Sequence, residues 1–160
     1  MSHVVASTNE VIFDPNLILS NLEDLRYPNG AFIAAPTDDY RACWIRDHLY
    51  MTLTYYYMED YPRLVQGIWV VWDILRGQKH KLEMQSHPRD QHGNLIASDL
   101  VHAKYEPETL RELTPHWGHH QLDALGLFLW MVATANKKVI VFRDAADQEI
   151  LRLLINYLER

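Results

Sequence analysis

Apolar positions recur at three- and four-residue steps in five stretches of the chain, separated by polar or irregular sequence. Asp14-Pro15 opens the first stretch with a carboxylate that can accept from free backbone N–H groups and a proline whose missing N–H costs nothing in a first turn. Leu17, Ile18, Leu22 and Leu25 follow at helical spacing, which predicts a helix ending near Tyr27, before the turn residues Pro28-Asn29-Gly30. Ala31 to Asp39, broken by Pro36 and the Asp38-Asp39 pair, reads as an irregular loop that delivers the chain to Trp44. Ile45 to Tyr57 has neither Gly nor Pro and predicts a second helix. A third runs from Pro62 to Leu75 through Leu64, Val65, Ile68, Trp69, Trp72 and Leu75, and Val70, Val71 and Ile74 make its other faces apolar. Such a helix is covered by neighbours on most sides.

From Arg76 to Thr114 the sequence is polar, interrupted by Gly77, Pro88, Gly93 and Pro107, and without sustained period; a loop of that length is expected to be functional. A fourth helix, His119 to Thr134, is apolar nearly all round through Leu122, Leu125, Leu127, Phe128, Leu129, Trp130, Met131 and Val132. Lys137 to Phe142 has the composition of a short strand but nothing to pair with. Asp144 caps a last helix, with Asp147 in its first turn and Ile150, Leu151, Leu154, Ile155 and Leu158 along it. Its end offers no Gly or Asn stop, so residues 1–160 are expected to form one portion of a larger domain. Every firm element is a helix, and the expected class is all-α.

Composition narrows the function. The chain has 160 residues, 48% of them hydrophobic, enough for a sizeable core, which sets disorder aside. A formal charge of -6 leaves no basic stripe for a phosphate backbone, so nucleic acid is not an expected partner and a neutral substrate suits the chain better. The first ten residues lack the basic start and apolar run of a signal peptide, and no stretch is long and apolar enough for a membrane span; a cytoplasmic location is expected. Cys43, the single cysteine, excludes an intrachain disulfide and reads as a packing residue beside Trp44. No cofactor is expected.

Two clusters could carry chemistry. Trp44-Ile45-Arg46-Asp47 puts an indole, a guanidinium and a carboxylate at the mouth of a helix, the set that sugar recognition requires: directed hydrogen bonds for hydroxyls and a flat face for the ring. The plainer alternative is an ion pair at a helix start with a core tryptophan. In His116-Trp117-Gly118-His119-His120-Gln121-Leu122-Asp123, Gln121 or Asp123 could point into a cleft, or could serve capping and a buried hydrogen-bond network. A metal held by His116, His120 and Asp123 is disfavoured by Gly118 between the histidines and by the absence of a His-Glu-x-x-His motif. His48, His80, His87, His92 and His102 read as surface or loop residues. Tyr55, Tyr56, Tyr57, Trp69 and Trp72 read as core rather than as a sugar platform, and Glu106, Glu108 and Glu112 as a solvated loop face.

The segments Tyr40-Arg41-Ala42-Cys43-Trp44-Ile45-Arg46-Asp47 and His116-Trp117-Gly118-His119-His120-Gln121-Leu122-Asp123-Ala124, in this order and at this separation, resemble the two N-terminal motifs of glucoamylase-type family 15 glycoside hydrolases. His102-Ala103-Lys104-Tyr105 and the last helix look closer to the related phosphorylase kinase α/β regulatory subunits. The resemblance spans roughly residues 14 to 160 and implies part of an (α/α)6 barrel, two concentric rings of six helices with sugar bound at one end. Twelve helices of about 10–14 residues need on the order of 120–170 residues before loops, so about five helices are less than half a barrel, and their uncovered apolar faces predict self-association. The resemblance places Trp44, Arg46 and Asp47 in the innermost glucose subsite, Trp117 as the wall of the next, and Gln121 and Asp123 as supports of that wall. It implies inverting hydrolysis of α-glucans or gluco-oligosaccharides, with the general acid and base beyond Arg160. The alternative it implies is a regulatory, glucan-binding module without hydrolysis; an unrelated helical interaction domain would bind no sugar.

Overall fold

The computed structural model describes residues 14–84, 89–94, 96–113 and 121–159. Six α-helices account for most of them: α1 (Pro15–Glu23), α2 (Ile45–Tyr57), α3 (Tyr61–Gly77), the single turn α4 (Lys79–Leu82), α5 (Leu122–Ala135) and α6 (Ala145–Leu158). Two two-residue strands, β1 (Cys43–Trp44) and β2 (Lys104–Tyr105), pair antiparallel. The class is all-α, as the periodicity predicts, and is consistent with part of an (α/α)6 arrangement.

The caps act where the sequence puts them. Asp14 accepts from the Asn16 amide at 2.9 Å, and Asp144 accepts from the amides of Ala146 and Asp147 at 2.9 and 3.2 Å. Helix α1 stops at Glu23, earlier than its apolar spacing suggests, because the backbone after it turns back on itself. Tyr27 N–H donates to the Ala31 carbonyl, Ile33 N–H donates to that of Leu25, and Arg26 bridges Phe32. Gly30 makes the turn possible: its φ is +96°, and a Cβ there would lie 2.8 Å from Gln66 Cγ.

The core lies between α3 and the helices around it. Leu64, Ile68, Val71, Trp72, Ile74 and Leu75 of α3 are buried, and Trp72 meets Phe128 of α5 edge-on at 4.7 Å. Lys137–Phe142 forms a turn and irregular chain rather than a strand; Val141 is buried, and its carbonyl accepts from the Trp69 indole at 3.2 Å. Of the aromatic stripe, Tyr55 and Trp72 are core, whereas Tyr57 is exposed. Leu122, Trp130, Ile140 and Ile155 are exposed too, and an open apolar groove runs between α5 and α6, lined by Leu129, Val132, Phe142, Leu151 and Ile155.

The long polar segment after α3 is clasped rather than loose. Lys81, 5% exposed, donates to Glu112 at 2.6 Å and to the Leu100 carbonyl at 3.0 Å, so a buried charge is paired and hydrogen-bonded across the segment. Glu106 takes the amides of Glu108 and Thr109; burial works against its ionised form, but these bonds hold its carboxyl below the usual range. These two glutamates therefore organise the loop instead of merely facing solvent. Helices α3 and α6 are joined by charge: Arg76 meets Asp144 and Asp147 at 2.5 and 2.7 Å, and Arg143 meets Asp73 at 2.7 Å and Asp147 at 3.0 Å.

The reading of His48 as a surface or loop residue is overturned, since it is buried within α2; His102 does lie in irregular chain, but buried there. His48 sits at a close approach of α2 to α3. Its Nδ1 accepts from the Phe32 amide at 3.2 Å, which leaves Nε2–H to donate to the Gly67 carbonyl at 2.9 Å. Gly67 permits this approach, because a Cβ on it would lie 2.5 Å from Thr52 Cγ2 and Oγ1. Burial pushes the His48 imidazole down to about 4, against the hydrogen bond to Gly67, with the Arg26 charge adding to the depression.

Two outcomes follow for stability. A histidine held neutral contributes fully above its unfolded value of 6.5 and loses that contribution as pH falls from there through about 4. Urea unfolding at stepped pH is expected to show roughly 3 kcal/mol lost across that window, with the His48 imidazole still neutral by NMR at pH 5.5; titration of His48 near 6.5 would contradict it. Gly67→Ala is expected to cost about 1–3 kcal/mol by overpacking. Adding Thr52→Ala should recover part of that loss, whereas strictly additive costs would show that the two residues do not meet.

Candidate active site

The site is built where two helices begin. Strand β1 leads directly into α2 and is held by β2 in the register Cys43 with Tyr105 and Trp44 with Lys104, and the Ile45 amide donates to the Ala103 carbonyl at 3.0 Å. The first turn of α2 is thus fixed by the segment that follows α4. Cys43 is buried beneath it, and burial, helped by the Asp47 charge, pushes its thiol up to about 12, which leaves it a packing group rather than a nucleophile.

Trp44 is half-buried. The Tyr40 ring lies 6.3 Å from its ring and the Lys104 ammonium 5.4 Å from its centroid, so one face of the indole carries a cation. Arg46 and Asp47 occupy the first turn of α2. Asp47 is exposed and makes no hydrogen bond or ion pair with a described residue. Gln121 sits at the start of α5, with its carbonyl accepting the first helical amides, and Asp123 lies in the first turn.

The two helix starts are joined by one contact. Arg46 Nη2 donates to Asp123 Oδ1 at 2.7 Å across 77 residues of sequence. That bond raises the Arg46 guanidinium above its ordinary range and holds the Asp123 carboxyl below its own, in each case as the leading cause. Arg46 is therefore tied to Asp123 and not, as an ion pair within one helix start would require, to its neighbour Asp47.

Eight buried side-chain N or O atoms have no hydrogen-bond partner among the described residues, and three belong to these helix starts: Trp44 Nε1, Arg46 Nε and Gln121 Oε1. They are two donors and one acceptor. An unmet buried polar group costs about 1–3 kcal/mol, so three of them at two adjoining helix starts call for an explanation.

Trp117, with His116, His119 and His120, lies outside the described residues, as does most of the alternative metal set. No group of three His, Cys, Asp or Glu among the described residues is placed to hold a metal ion. Lys104 was legible only as part of the His102–Tyr105 segment; its place over Trp44 depends on the two-residue strand pair, which leaves no alternation to read. Among the described residues no helix is long and apolar enough to cross a membrane.

No curated protein and no solved structure matches the chain significantly. The model of glycosyl hydrolases family 15 matches residues 16–160, from the second residue of α1 to the last of the chain and across both helix starts of the site. With nine-tenths of its length matched, the chain belongs to glycosyl hydrolases family 15.

Proposed function

We propose that this chain supplies the innermost glucose-binding subsite of a glucoamylase-like enzyme acting on α-glucans or gluco-oligosaccharides, as one part of an (α/α)6 barrel. Trp44, Arg46 and Asp47 contact the terminal sugar, Trp117 walls the adjoining position, and Gln121 and Asp123 support that wall. The observation that carries this is the set of polar atoms at the two helix starts, Trp44 Nε1, Arg46 Nε and Gln121 Oε1, that have no partner among the described residues, beside the Asp47 carboxylate, which has none there either.

The chemistry matches a sugar better than an ionic substrate. Each glucose hydroxyl both donates and accepts, so it can meet an indole N–H, a guanidinium N–H and an amide oxygen in turn, and a carboxylate at a helix start accepts from it with charge assistance. The two cations of the site, Arg46 and Lys104, are matched in number by Asp123 and Asp47, so no net positive charge would draw a phosphate or carboxylate. Neither Asp47 nor Asp123 is assigned acid or base work. Inverting hydrolysis needs a carboxylic acid at the glycosidic oxygen and a second carboxylate on a water across the ring, and Asp123 is committed to Arg46.

Calorimetric titration with glucose, maltose and acarbose tests the reading. Saturable binding is expected, and Asp47→Ala is expected to weaken it by about ten- to a hundredfold, since a hydrogen bond to a charged group is worth roughly 1.5–3 kcal/mol. Absence of binding in a chain that unfolds cooperatively would leave a helical interaction domain as the better description.

A further inference from the structure

The structure shows Asp123 reaching Arg46, and this contact gives it a role distinct from supporting a neighbouring wall. We infer that Asp123 is a positioning residue for sugar recognition: it holds the Arg46 guanidinium in its binding orientation before the sugar arrives. The inference rests on the sugar-site reading above and concerns how that site reaches its affinity.

The pair contributes little to the fold. The two side chains are 42% and 63% exposed, and an ion pair so open to water is worth about 0–1 kcal/mol. Its effect is on geometry. An unrestrained arginine carries on the order of 2 kcal/mol of side-chain entropy, part of which is lost whenever a ligand immobilises it. Because the guanidinium is planar and its five N–H groups diverge in a fixed fork, holding Nη2 on a carboxylate restricts the directions open to the other N–H groups. Arg46 Nε, buried and without a partner among the described residues, belongs to the fork so restrained.

Asp123 is suited to this because its backbone is part of a helix packed against the one that carries Arg46. It lies in the first turn of α5, where the amides of residues 123 and 124 favour its ionised form, and α5 packs against α2. Asp47, the nearer carboxylate in sequence, makes no ion pair with the guanidinium, acting on it through its charge alone, and its oxygens have no partner among the described residues. One carboxylate orients the arginine and the other remains available to the sugar.

The test is a double-mutant cycle on maltose affinity, measured by calorimetry in the 160-residue chain carrying Asp123→Asn, Arg46→Ala or both, with urea unfolding of each. Asp123→Asn keeps the size of the side chain and the helix start, and Asp123→Ala provides a second replacement should the amide take up the same bond. Either is expected to weaken maltose binding by about three- to tenfold, the cost of ordering one rotamer-rich side chain on binding. In the Arg46→Ala background the same replacement is expected to change affinity by less than about 1.5-fold, since nothing is left to position. Unchanged affinity with Arg46 present, or an equal loss with Arg46 absent, would overturn the inference while leaving the sugar site standing. Failure of the unsubstituted chain to bind maltose would overturn both.

Discussion

The close approach of α2 to α3 is the constraint on which the remaining geometry depends. It exists because residue 67 has no side chain, since Thr52 occupies the space a Cβ would need. It is fixed by His48, which spans from the Phe32 amide in the loop before α2 to the Gly67 carbonyl in the middle of α3. Three segments distant in sequence are held by one neutral imidazole with both nitrogens satisfied. A protonated ring would have no acceptor for its second N–H and would face the Arg26 charge, which is why burial here selects the neutral form. With α2 fixed against α3, its first turn has one position relative to α5, and Arg46 can reach Asp123.

That first turn is held from the other side by the segment between α4 and α5. Lys81 and Glu112 anchor the segment, Glu106 tightens its turn, and β2 then meets β1. A buried ion pair is weak evidence for added stability, because desolvating both charges offsets most of their attraction. Its effect is better read as selection of one path for a chain that has little regular structure of its own. The Lys104 ammonium lies over Trp44 only because that path is fixed.

How far the sequence discloses this follows from which interactions leave a local trace. Helix positions do, because burial of one face repeats at helical spacing, and α3 and α6 appear almost as the pattern places them. Caps do as well, since Asp14 and Asp144 act within three residues of themselves. The early end of α1 is not visible, because a backbone pairing of Arg26 with Phe32 overrides an apolar spacing that continues to Leu25. Nor are His48 and Lys81 distinguishable from surface residues, as the partners that satisfy them come from elements up to 31 positions away. In the site the residue types were legible and the pairing was not. Trp44, Arg46, Asp47, Gln121 and Asp123 stand out as polar or aromatic groups at helix starts, but that Arg46 chooses Asp123 over the adjacent Asp47 depends on the packing of α2 against α5.

The choice of Asp123 also explains why this arrangement suits recognition more than catalysis. A general acid must hold a proton near neutral pH, which requires an environment that raises its pKa. Asp123 has the opposite environment, with its carboxyl held below the ordinary range by the Arg46 bond and by the amides of its own helix start. A general base must be free to take a proton from water, and a carboxylate already accepting from a guanidinium at 2.7 Å has its strongest lone-pair direction occupied. What such a carboxylate does well is to remain charged, and as inferred above it would hold a fork of donors ready for an oxygen. On the reading proposed above, a site assembled in this way would select an uncharged ligand rich in hydroxyl groups and leave bond cleavage to groups with a different electrostatic setting.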